Sequence, residues 1–218
     1  MEPAYTCILF DLDGTIIDSA RGITASLAYM FEELGRPVPS PAELLRYVGP
    51  PILESFRDYA GMDGGEMAEA LAIYRPRYLE QGALDSTVFP GVPEVLRAIH
   101  DARVPLSLAT SKPEAPAIMM LQHFGLLDHF DVITGASADE VRSAKADVVA
   151  EALVRLSAIG ADLSHPVLVG DRVHDIEGAA ANGVPAIFAD WGYGPAGEQA
   201  GAIAVAHTPP ELQKLLLG

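Results

Sequence analysis

The sequence predicts an α/β protein, a doubly wound parallel sheet with an inserted all-helical unit. From residue 88 onward, short apolar segments alternate with helical segments. Strands separated by whole helices pair in parallel through right-handed crossovers. Residues 18–84 instead show helical periodicity without strand-like alternation, and one apolar strand precedes them. The helical unit therefore interrupts the chain just after the first strand of the sheet.

The first strand is the apolar run Cys7-Ile8-Leu9-Phe10, which Asp11-Leu12-Asp13-Gly14-Thr15 follows at once. Alternate side chains of an extended chain lie on the same side, so Asp11 and Asp13 can face one site. Two carboxylates that close repel each other unless a cation or a shared proton lies between them. Gly14 permits the turn that leaves the strand and keeps the backbone accessible. The alternative interpretation is a strand followed by a polar Asp-Gly turn.

Residues 18–85 are predicted to form the helical unit. Asp18 or Ser19 is a candidate N-cap for its first helix, and Gly35 ends that helix. The segment Gly49-Pro50-Pro51 separates two further helices. Apolar residues recur at helical spacing in four patterns, which are Ile23, Leu27, Met30, Phe31 and Leu34; Leu44, Leu45 and Val48; Ile52, Leu53, Phe56 and Tyr59; and Met67, Leu71, Tyr74 and Tyr78.

The rest of the chain is predicted to alternate helices and strands, which gives an α/β core domain of residues 1–17 and 86–218. Linkers near residues 14–18 and 84–91 join this core to the helical domain of residues 18–85. The predicted strands cover residues 105–109, 130–133, 166–169, 185–188 and 203–206. The predicted helices cover residues 92–102, 116–124, 144–156, 176–182 and 210–217.

Polar side chains follow three of the predicted strands, where sheets of this kind bind their ligands. Asp11 and Asp13 follow the first strand, Thr110 and Ser111 follow the second, and Asp171 follows the strand 166–169. Two hydroxyls beside a helix N-terminus suit a phosphate group, although such residues also serve simply as helix caps.

Lys145 and Asp175 extend this set. Lys145 opens a helix, and Asp175 lies four residues after Asp171. Each residue alone has an ordinary interpretation as a surface lysine, a turn or a solvated helix position. The chain has only three lysines, however, and Lys145 and Lys112 are two of them. An acidic residue, a hydroxyl, a cationic residue and a second acidic residue therefore follow one another along the chain, at the ends of adjacent strands. This arrangement predicts one functional site.

Composition limits the partners of this chain. The formal net charge is -16, from 14 basic and 30 acidic residues. Nucleic acid and anionic membranes should therefore be repelled, and a phosphate site needs a local cation.

The single cysteine, Cys7, excludes an internal disulfide and suits a reducing compartment. Met1-Glu2-Pro3 does not begin a signal peptide, and no apolar run approaches the ~20 residues of a membrane span. We therefore expect a cytoplasmic protein, either a monomer or a homodimer.

The order and spacing of the polar residues resemble the motifs of the haloacid dehalogenase superfamily of phosphotransferases. Asp11, Asp13 and Thr15 match its nucleophile motif Asp-x-Asp-x-Thr, and Ile16-Ile17-Asp18-Ser19 resembles the branch with a helical cap after the first strand. The resemblance covers essentially the whole chain. It implies a Rossmann-like core with strand order 3-2-1-4-5, its first strand central, and makes residues 18–85 the cap.

The other motifs also have counterparts in this sequence. Thr110 or Ser111 matches the phosphate-binding hydroxyl, and Lys145 matches the conserved lysine. Gly170-Asp171, with Asp175, matches the acidic metal motif. One local departure is that alanines flank the lysine, where many relatives have proline.

The resemblance implies a phosphatase that forms an aspartyl-phosphate. Asp11 would attack phosphorus, and Asp13 would protonate the leaving group and then activate water. Mg²⁺ would be bound by Asp11, by Asp171 and by the backbone carbonyl of Asp13. The further implied roles are phosphate binding by Lys145, Gly14 and either Thr110 or Ser111, and support of the site by Asp175 and Thr15.

The cap sets the substrate in this family, and residues 18–85 contain no lysine and no histidine. Phosphonoacetaldehyde hydrolases and β-phosphoglucomutases rely on such cap residues, so simple hydrolysis of a small phosphorylated metabolite is expected.

Gly49 and Pro50 resemble a substrate-specificity loop, and the nearby Arg46 is a candidate to bind an anionic leaving group. A plain helix break and a solvated arginine are the alternatives. The sequence favours a phosphoglycolate phosphatase-like enzyme with a polar or anionic leaving group. A 5′-nucleotidase or pyrophosphatase, a β-phosphoglucomutase-type phosphotransferase and a non-catalytic binding protein are the alternatives.

Overall fold

A computed structural model describes residues 3–218, so Met1 and Glu2, where the predicted core domain begins, lie outside the described residues. The strands in chain order are β1 (Cys7–Phe10), β2 (Ile17–Asp18), β3 (Thr87–Val88), β4 (Leu106–Pro113), β5 (Val132–Ala136), β6 (Pro166–Gly170), β7 (Ala186–Ala189) and β8 (Ala204–Ala206). The α-helices are α1 (Ala20–Glu33), α2 (Pro41–Leu45), α3 (Ile52–Ala60), α4 (Gly64–Arg77), α5 (Val92–Asp101), α6 (Glu114–His123), α7 (Lys145–Ala158), α8 (Val173–Ala180) and α9 (Pro209–Leu217).

The main sheet has six strands in the order β5-β4-β1-β6-β7-β8. Every neighbouring pair is parallel, and β1 is central, with Ile8 opposite both Leu106 and Val167. Helices connect the strands from β4 to β7 in turn, as is usual in a parallel sheet. A segment of turns connects β7 to β8. The predicted α/β class and the order 3-2-1-4-5 of its first five strands are therefore confirmed, and β8 adds a sixth strand at the edge.

The central strand is buried on both faces. Ile8 and Phe10 contribute to one apolar cluster and Cys7 and Leu9 to the other, and all four side chains are 0% exposed. Complete burial of an apolar side chain of this size contributes about 1.5–3 kcal/mol. The rigid centre of the sheet thus holds the residue after it, Asp11, in a fixed place.

Strand β4 extends further than the sequence predicts. It runs on through Thr110, Ser111 and Lys112 to Pro113, whereas the predicted strand ended at residue 109. Its register against β5 shifts between Ala109 and Pro113. The polar side chains of this extension resemble a loop in the sequence, but they are buried in the structure.

The helical segment 18–85 contains the four predicted helices, α1 to α4, followed by a π-helical turn at Tyr78–Gly82. The backbone of α1 packs directly against the backbone of this turn at Gly22. A Cβ on Gly22 would lie only 1.9 Å from the carbonyl oxygen of Gly82. The two chain segments that flank the helices pair as the antiparallel strands β2 and β3. Each strand has two residues, too few to show strand-like alternation in the sequence. The division into a core and a cap stays a prediction. No helix among residues 3–218 combines the length and apolarity needed to cross a bilayer.

Candidate active site

Three carboxylates meet at the carboxyl edge of the sheet. Asp11 follows β1, Asp171 follows the adjacent parallel strand β6, and Asp175 lies in the first turn of α8. One oxygen from each lies within 4.8 Å of the others, and the residues are only 2%, 0% and 1% exposed. Such a buried acidic cluster needs positive charge close to it.

Lys145 supplies one positive charge. Its Nζ lies 2.7 Å from Oδ1 of Asp11 and 2.7 Å from Oδ1 of Asp175, and it also donates to the carbonyl oxygen of Ala109 at 3.0 Å. Burial by itself would lower the pKa of Lys145, but Asp11 and Asp175 together raise the pKa above its ordinary value. The side chain is therefore a charged ammonium group, and its position at the start of α7 directs it into the cluster.

Asp171 occupies a place that only glycines could leave open. A Cβ on Gly14, which has φ +88°, would lie 2.3 Å from Oδ2 of Asp171, and a Cβ on Gly192 would lie 2.3 Å from its Cβ. The carboxylate accepts hydrogen bonds from Oγ1 of Thr15 at 3.0 Å and from the backbone N–H of Tyr193 at 2.8 Å. Burial, with Asp175 and Asp11 nearby, raises the pKa of Asp171 well above its usual range.

The cluster fits a hard divalent cation. Burial, with a smaller contribution from Asp175, raises the pKa of Asp11 to about 6 although Lys145 opposes this shift. The donors of the cluster are all carboxylate oxygens, the ligand type that Mg²⁺ prefers. The carboxylates that lie together are those of Asp11, Asp171 and Asp175. The predicted metal set of Asp11, Asp13 and Asp171 uses the backbone carbonyl of Asp13 and stays a prediction.

Asp13 faces away from this cluster. Its Oδ1 accepts a hydrogen bond from Oγ of Ser19 at 2.6 Å, and its Oδ2 lies 3.0 Å from Nζ of Lys112. Ser19 precedes α1 but makes no capping bond through its side chain. The Nζ of Lys112 also donates to the hydroxyl of Tyr78 at 2.7 Å. Neither Lys112 nor Tyr78 has a role predicted from the sequence; the only signal was that the chain has three lysines.

The two candidate hydroxyls differ in their surroundings. Ser111 lines a cavity beside Asp13, and its buried Oγ has no hydrogen-bond partner within the described chain. Oγ1 of Thr110 accepts from the backbone N–H of Lys112 at 3.3 Å. A buried hydroxyl without a partner is costly unless a ligand satisfies it. Ser111 is therefore the better placed of the two to contact a phosphate.

The cavity beside Asp13 has a volume of about 240 Å³. Gly49 and Pro50 line it, as expected of a specificity loop, but Arg46 does not. The guanidinium of Arg46 lies 4.3 Å from the ring centroid of Tyr59 instead. Arg46 is exposed and follows Leu45, the last residue of α2, and its contact with a leaving group stays a prediction.

Two further residues on the cavity wall, Arg75 and Glu140, were not identified from the sequence. Arg75 belongs to α4, Glu140 lies between β5 and α7, and their side chains form an ion pair. Their sequence separation of 65 residues explains why no local pattern revealed the pair.

Arg172 connects the acidic motif to the loop that contains Gly49. Its guanidinium donates to the carbonyl oxygen of Val48 and to both carboxylate oxygens of Glu198. A Cβ on Gly49, which has φ +103°, would lie 3.0 Å from Cγ of Arg172. The residue after Asp171 thus fixes the position of this loop against the sheet.

The segment after β7 closes the other side of the site. Nε1 of Trp191 donates to the carbonyl oxygen of Thr15 at 3.0 Å, and the hydroxyl of Tyr193 donates to Oδ1 of Asp18 at 2.6 Å. These contacts hold the chain between Asp13 and α1.

This fold and this site define an α/β protein with a buried acidic centre, contacted by a lysine, at the carboxyl edge of its sheet. The chain belongs to the haloacid dehalogenase-like hydrolase family, whose sequence model matches residues 8–189. The predicted family is therefore confirmed.

Three proteins with different named functions are similar to this chain in sequence. The tyrosine-protein kinase PtkA of Mycobacterium tuberculosis is 44% identical over 188 residues, which are 86% of this chain but only 62% of that protein. Its solved structure superposes with a TM-score of 0.81 at 38% identity and covers 96% of this chain and 97% of that one. A 5′-nucleotidase of Pseudomonas aeruginosa is 37% identical over 190 residues, 87% of this chain and 85% of the relative. A phosphoglycolate phosphatase of Pseudomonas syringae is 31% identical over 221 residues, 97% of this chain and 78% of the relative.

Proposed function

We propose that this protein is a divalent-metal-dependent phosphatase that hydrolyses small phosphomonoesters through an aspartyl-phosphate on Asp11. One observation carries the proposal: the Asp11 carboxylate contacts the ammonium group of Lys145 at 2.7 Å and shares a buried acidic cluster with Asp171 and Asp175. The similarity to a 5′-nucleotidase and to a phosphoglycolate phosphatase supports the same class of reaction.

In the first step, a carboxylate oxygen of Asp11 attacks phosphorus and the ester P–O bond breaks. Lys145 offsets the charge of the attacking carboxylate and of the phosphoryl oxygens close to it. The unpartnered hydroxyl of Ser111 is available to donate to a phosphoryl oxygen. Gly14 has no Cβ, which lets the Asp171 carboxylate lie against its backbone next to Asp13.

Asp13 moves the protons of both steps. It gives a proton to the oxygen of the leaving alcohol and later takes one from the water that attacks the phosphorus of the aspartyl-phosphate. The second step frees Asp11 and inorganic phosphate. Asp13 lines the cavity, and its contacts with Ser19 and Lys112 hold the carboxylate in place for this role.

The metal would be held by Asp11 and Asp171, and by the backbone carbonyl of Asp13. When bound, a Mg²⁺ ion would neutralise charge on the phosphoryl oxygens and orient the group for attack. Asp175 lies 2.7 Å from Lys145, which supports a positioning role for Asp175. The hydroxyl of Thr15 donates a hydrogen bond to Oδ1 of Asp171, which supports a role for Thr15 in positioning that carboxylate.

We also propose that residues 18–85 act as a cap that opens and closes over the site. The paired strands β2 and β3 bring the two crossing segments together, which supports a common hinge there. Pro50 and Tyr78, from the helical segment, and Asp13 and Ser111, from the sheet, line the same cavity. A closed cap would therefore exclude water from the reacting group.

The test is release of inorganic phosphate from a panel of phosphomonoesters with Mg²⁺, using wild type, Asp11→Asn and Asp58→Asn. Asp58 is an exposed aspartate that pairs with Arg57, so its variant is a matched control. We expect turnover in wild type and control, and loss of activity and of acid-stable phosphoenzyme in Asp11→Asn. Wild-type protein that releases no phosphate from any ester would favour the non-catalytic alternative and overturn the proposal.

A further inference from the structure

We propose that the cavity selects phosphomonoesters whose leaving group is an uncharged apolar ring, over those whose leaving group carries a carboxylate. This inference rests on the proposed function and specifies its substrate class. It replaces the sequence-based expectation of a polar or anionic leaving group. Three properties of the cavity carry it: the chemistry of the wall, the pairing of its charges and its size.

The wall beyond Asp13 is mainly apolar. Aliphatic and aromatic side chains from α1, α3 and α4 face proline residues at the end of β4 and in α6 across the cavity. Such a surface binds an apolar group by removing it from water and offers few partners to a carboxylate. Representative lining residues are Ile23, Ile52, Leu71, Tyr74, Pro113 and Pro116.

The aromatic part of the wall is held rigidly. The rings of Tyr74 and Tyr78 stack with centroids 5.6 Å apart and planes 10° apart. Tyr74 also packs edge-to-face on Phe56 at 6.3 Å. Because the hydroxyl of Tyr78 already accepts from Lys112, the ring is fixed before a substrate arrives. A flat apolar group can therefore bind without reordering this surface.

Each cation on the wall already has an anionic partner. Among residues 3–218, the lining cations are Lys112 and Arg75. Lys112 lies 3.0 Å from Oδ2 of Asp13, and Arg75 pairs with Glu140, whose side chain is only 5% exposed. A substrate carboxylate would find no free cation and would have to disrupt one of these pairs.

The backbone at Glu140 supports the second pair. Glu140 adopts φ +61°, a left-handed conformation that costs free energy for a residue with a side chain. The guanidinium of Arg75 is the partner at which its carboxylate points. The pair is therefore built into the closed wall, and it offsets the charge that would otherwise attract an anionic leaving group.

The volume suits one ring. About 240 Å³ lies below the roughly 300–1,000 Å³ of sites for drug-sized ligands. Asp13, Ser111 and Lys112 form the end of the cavity nearest the reacting group. The remaining space is enough for a small aromatic leaving group and is restrictive for a nucleoside.

The first experiment compares kcat/KM of the Mg²⁺-loaded wild type for benzyl phosphate, phosphoglycolate and adenosine 5′-monophosphate. Benzyl phosphate and phosphoglycolate are both primary alkyl esters, so the comparison tests binding of the leaving group. We expect benzyl phosphate to exceed each of the other two at least tenfold. A value for phosphoglycolate or the nucleotide that equals or exceeds that for benzyl phosphate would overturn the inference.

p-Nitrophenyl phosphate separates this outcome from failure of the proposed function. If the wild type releases phosphate from no ester, including p-nitrophenyl phosphate, the proposed function itself fails. Turnover of p-nitrophenyl phosphate without turnover of benzyl phosphate overturns only the inference about the leaving group.

The second experiment changes the charge of the wall. Glu140→Gln frees Arg75, so the ratio of kcat/KM for phosphoglycolate to that for benzyl phosphate should rise at least fivefold. Arg75→Gln leaves Glu140 unpaired, and the same ratio should fall. Glu66→Gln, which breaks a pair with Arg36 of 2.7 Å outside the cavity, should leave the ratio unchanged. An unchanged ratio in both Glu140→Gln and Arg75→Gln, with native circular dichroism, would overturn the charge argument.

Discussion

Nζ of Lys112 lies 3.0 Å from Oδ2 of Asp13, and both side chains are more than nine-tenths buried. The same ammonium group donates to the hydroxyl of Tyr78 in the π-helical turn after α4. A residue of the helical segment is thereby connected through one lysine to the proposed acid and base. A movement of that segment would alter the surroundings of Asp13 directly, which makes Tyr78 a residue to test.

Replacing Tyr78 with Phe should lower kcat/KM about 3–10-fold, since it removes one neutral acceptor worth about 0.5–1.5 kcal/mol and keeps the ring. Tyr29→Phe is the matched control, because Tyr29 is an exposed tyrosine of α1. Steady-state kinetics with benzyl phosphate measure both variants. Equal rates for the two would mean that Tyr78 acts only through packing of its ring.

Replacing Asp13 with Asn should slow alkyl phosphates about 10²–10⁴-fold, the usual contribution of general acid–base catalysis. The loss with p-nitrophenyl phosphate should be smaller, because a good leaving group needs less protonation. Asp11→Asn should instead lose at least about 10³-fold with every ester, since it removes the nucleophile. Equal losses on both ester types in Asp13→Asn would argue against its assigned role.

Removing divalent cations should abolish activity. Asp11, Asp171 and Asp175 place three carboxylate oxygens within 4.8 Å, and the proposed phosphoryl transfer brings further negative charge to the site. We expect exhaustive EDTA treatment to stop phosphate release and Mg²⁺ to restore it. Ca²⁺ should bind and inhibit, since it prefers more ligands at longer distances. Full activity of the metal-free protein would contradict the assignment.

Replacing Gly14 with Ala should destabilise the protein and disrupt the metal site. Its φ of +88° costs a side-chain-bearing residue about 1–2 kcal/mol, and the new Cβ would lie 2.3 Å from Oδ2 of Asp171. Gly35→Ala is the control, because Gly35 has φ +63° but no atom within 4 Å of an added Cβ. Thermal unfolding with and without Mg²⁺ distinguishes them. Gly14→Ala should lose both midpoint temperature and the Mg²⁺-dependent increase, and Gly35→Ala only part of the former.

The sequence was sufficient to locate Asp11, Asp171 and Lys145 because each lies where a strand ends or a helix begins. Parallel topology brings the carboxyl ends of neighbouring strands to one edge, so chain order alone predicted their approach. The metal-ligand set and the phosphate contacts stay predictions, since a backbone pattern does not orient side chains such as that of Asp13.

Other features depended on packing between distant segments. The exposed position of Arg46 could not be predicted because α2 is only five residues long and shows no helical periodicity. The extension of β4 through Lys112 was missed because its polar residues favour a loop in isolation. Arg75 and Glu140 come together only through the packing of α4 against the segment before α7.

Stability should fall in alkaline solution as the buried thiol of Cys7 ionises. Burial, with a smaller contribution from Asp162, raises the pKa of Cys7 from 9.0 to about 11 in the folded protein. The neutral thiol is thus favoured by folding, and its contribution to stability is fully present below pH 9 and declines as pH rises toward 11. The free energy of unfolding of wild type should therefore fall more steeply between pH 9 and 11 than that of Cys7→Ala, which has no group titrating at this position. Urea unfolding at several pH values gives the two curves.

At pH 8 the native thiol, which is 0% exposed, should also react with Ellman's reagent only at the rate of unfolding. Parallel stability curves for the two proteins, or rapid thiol labelling of the native state, would show that Cys7 is not buried in the core as the structure describes.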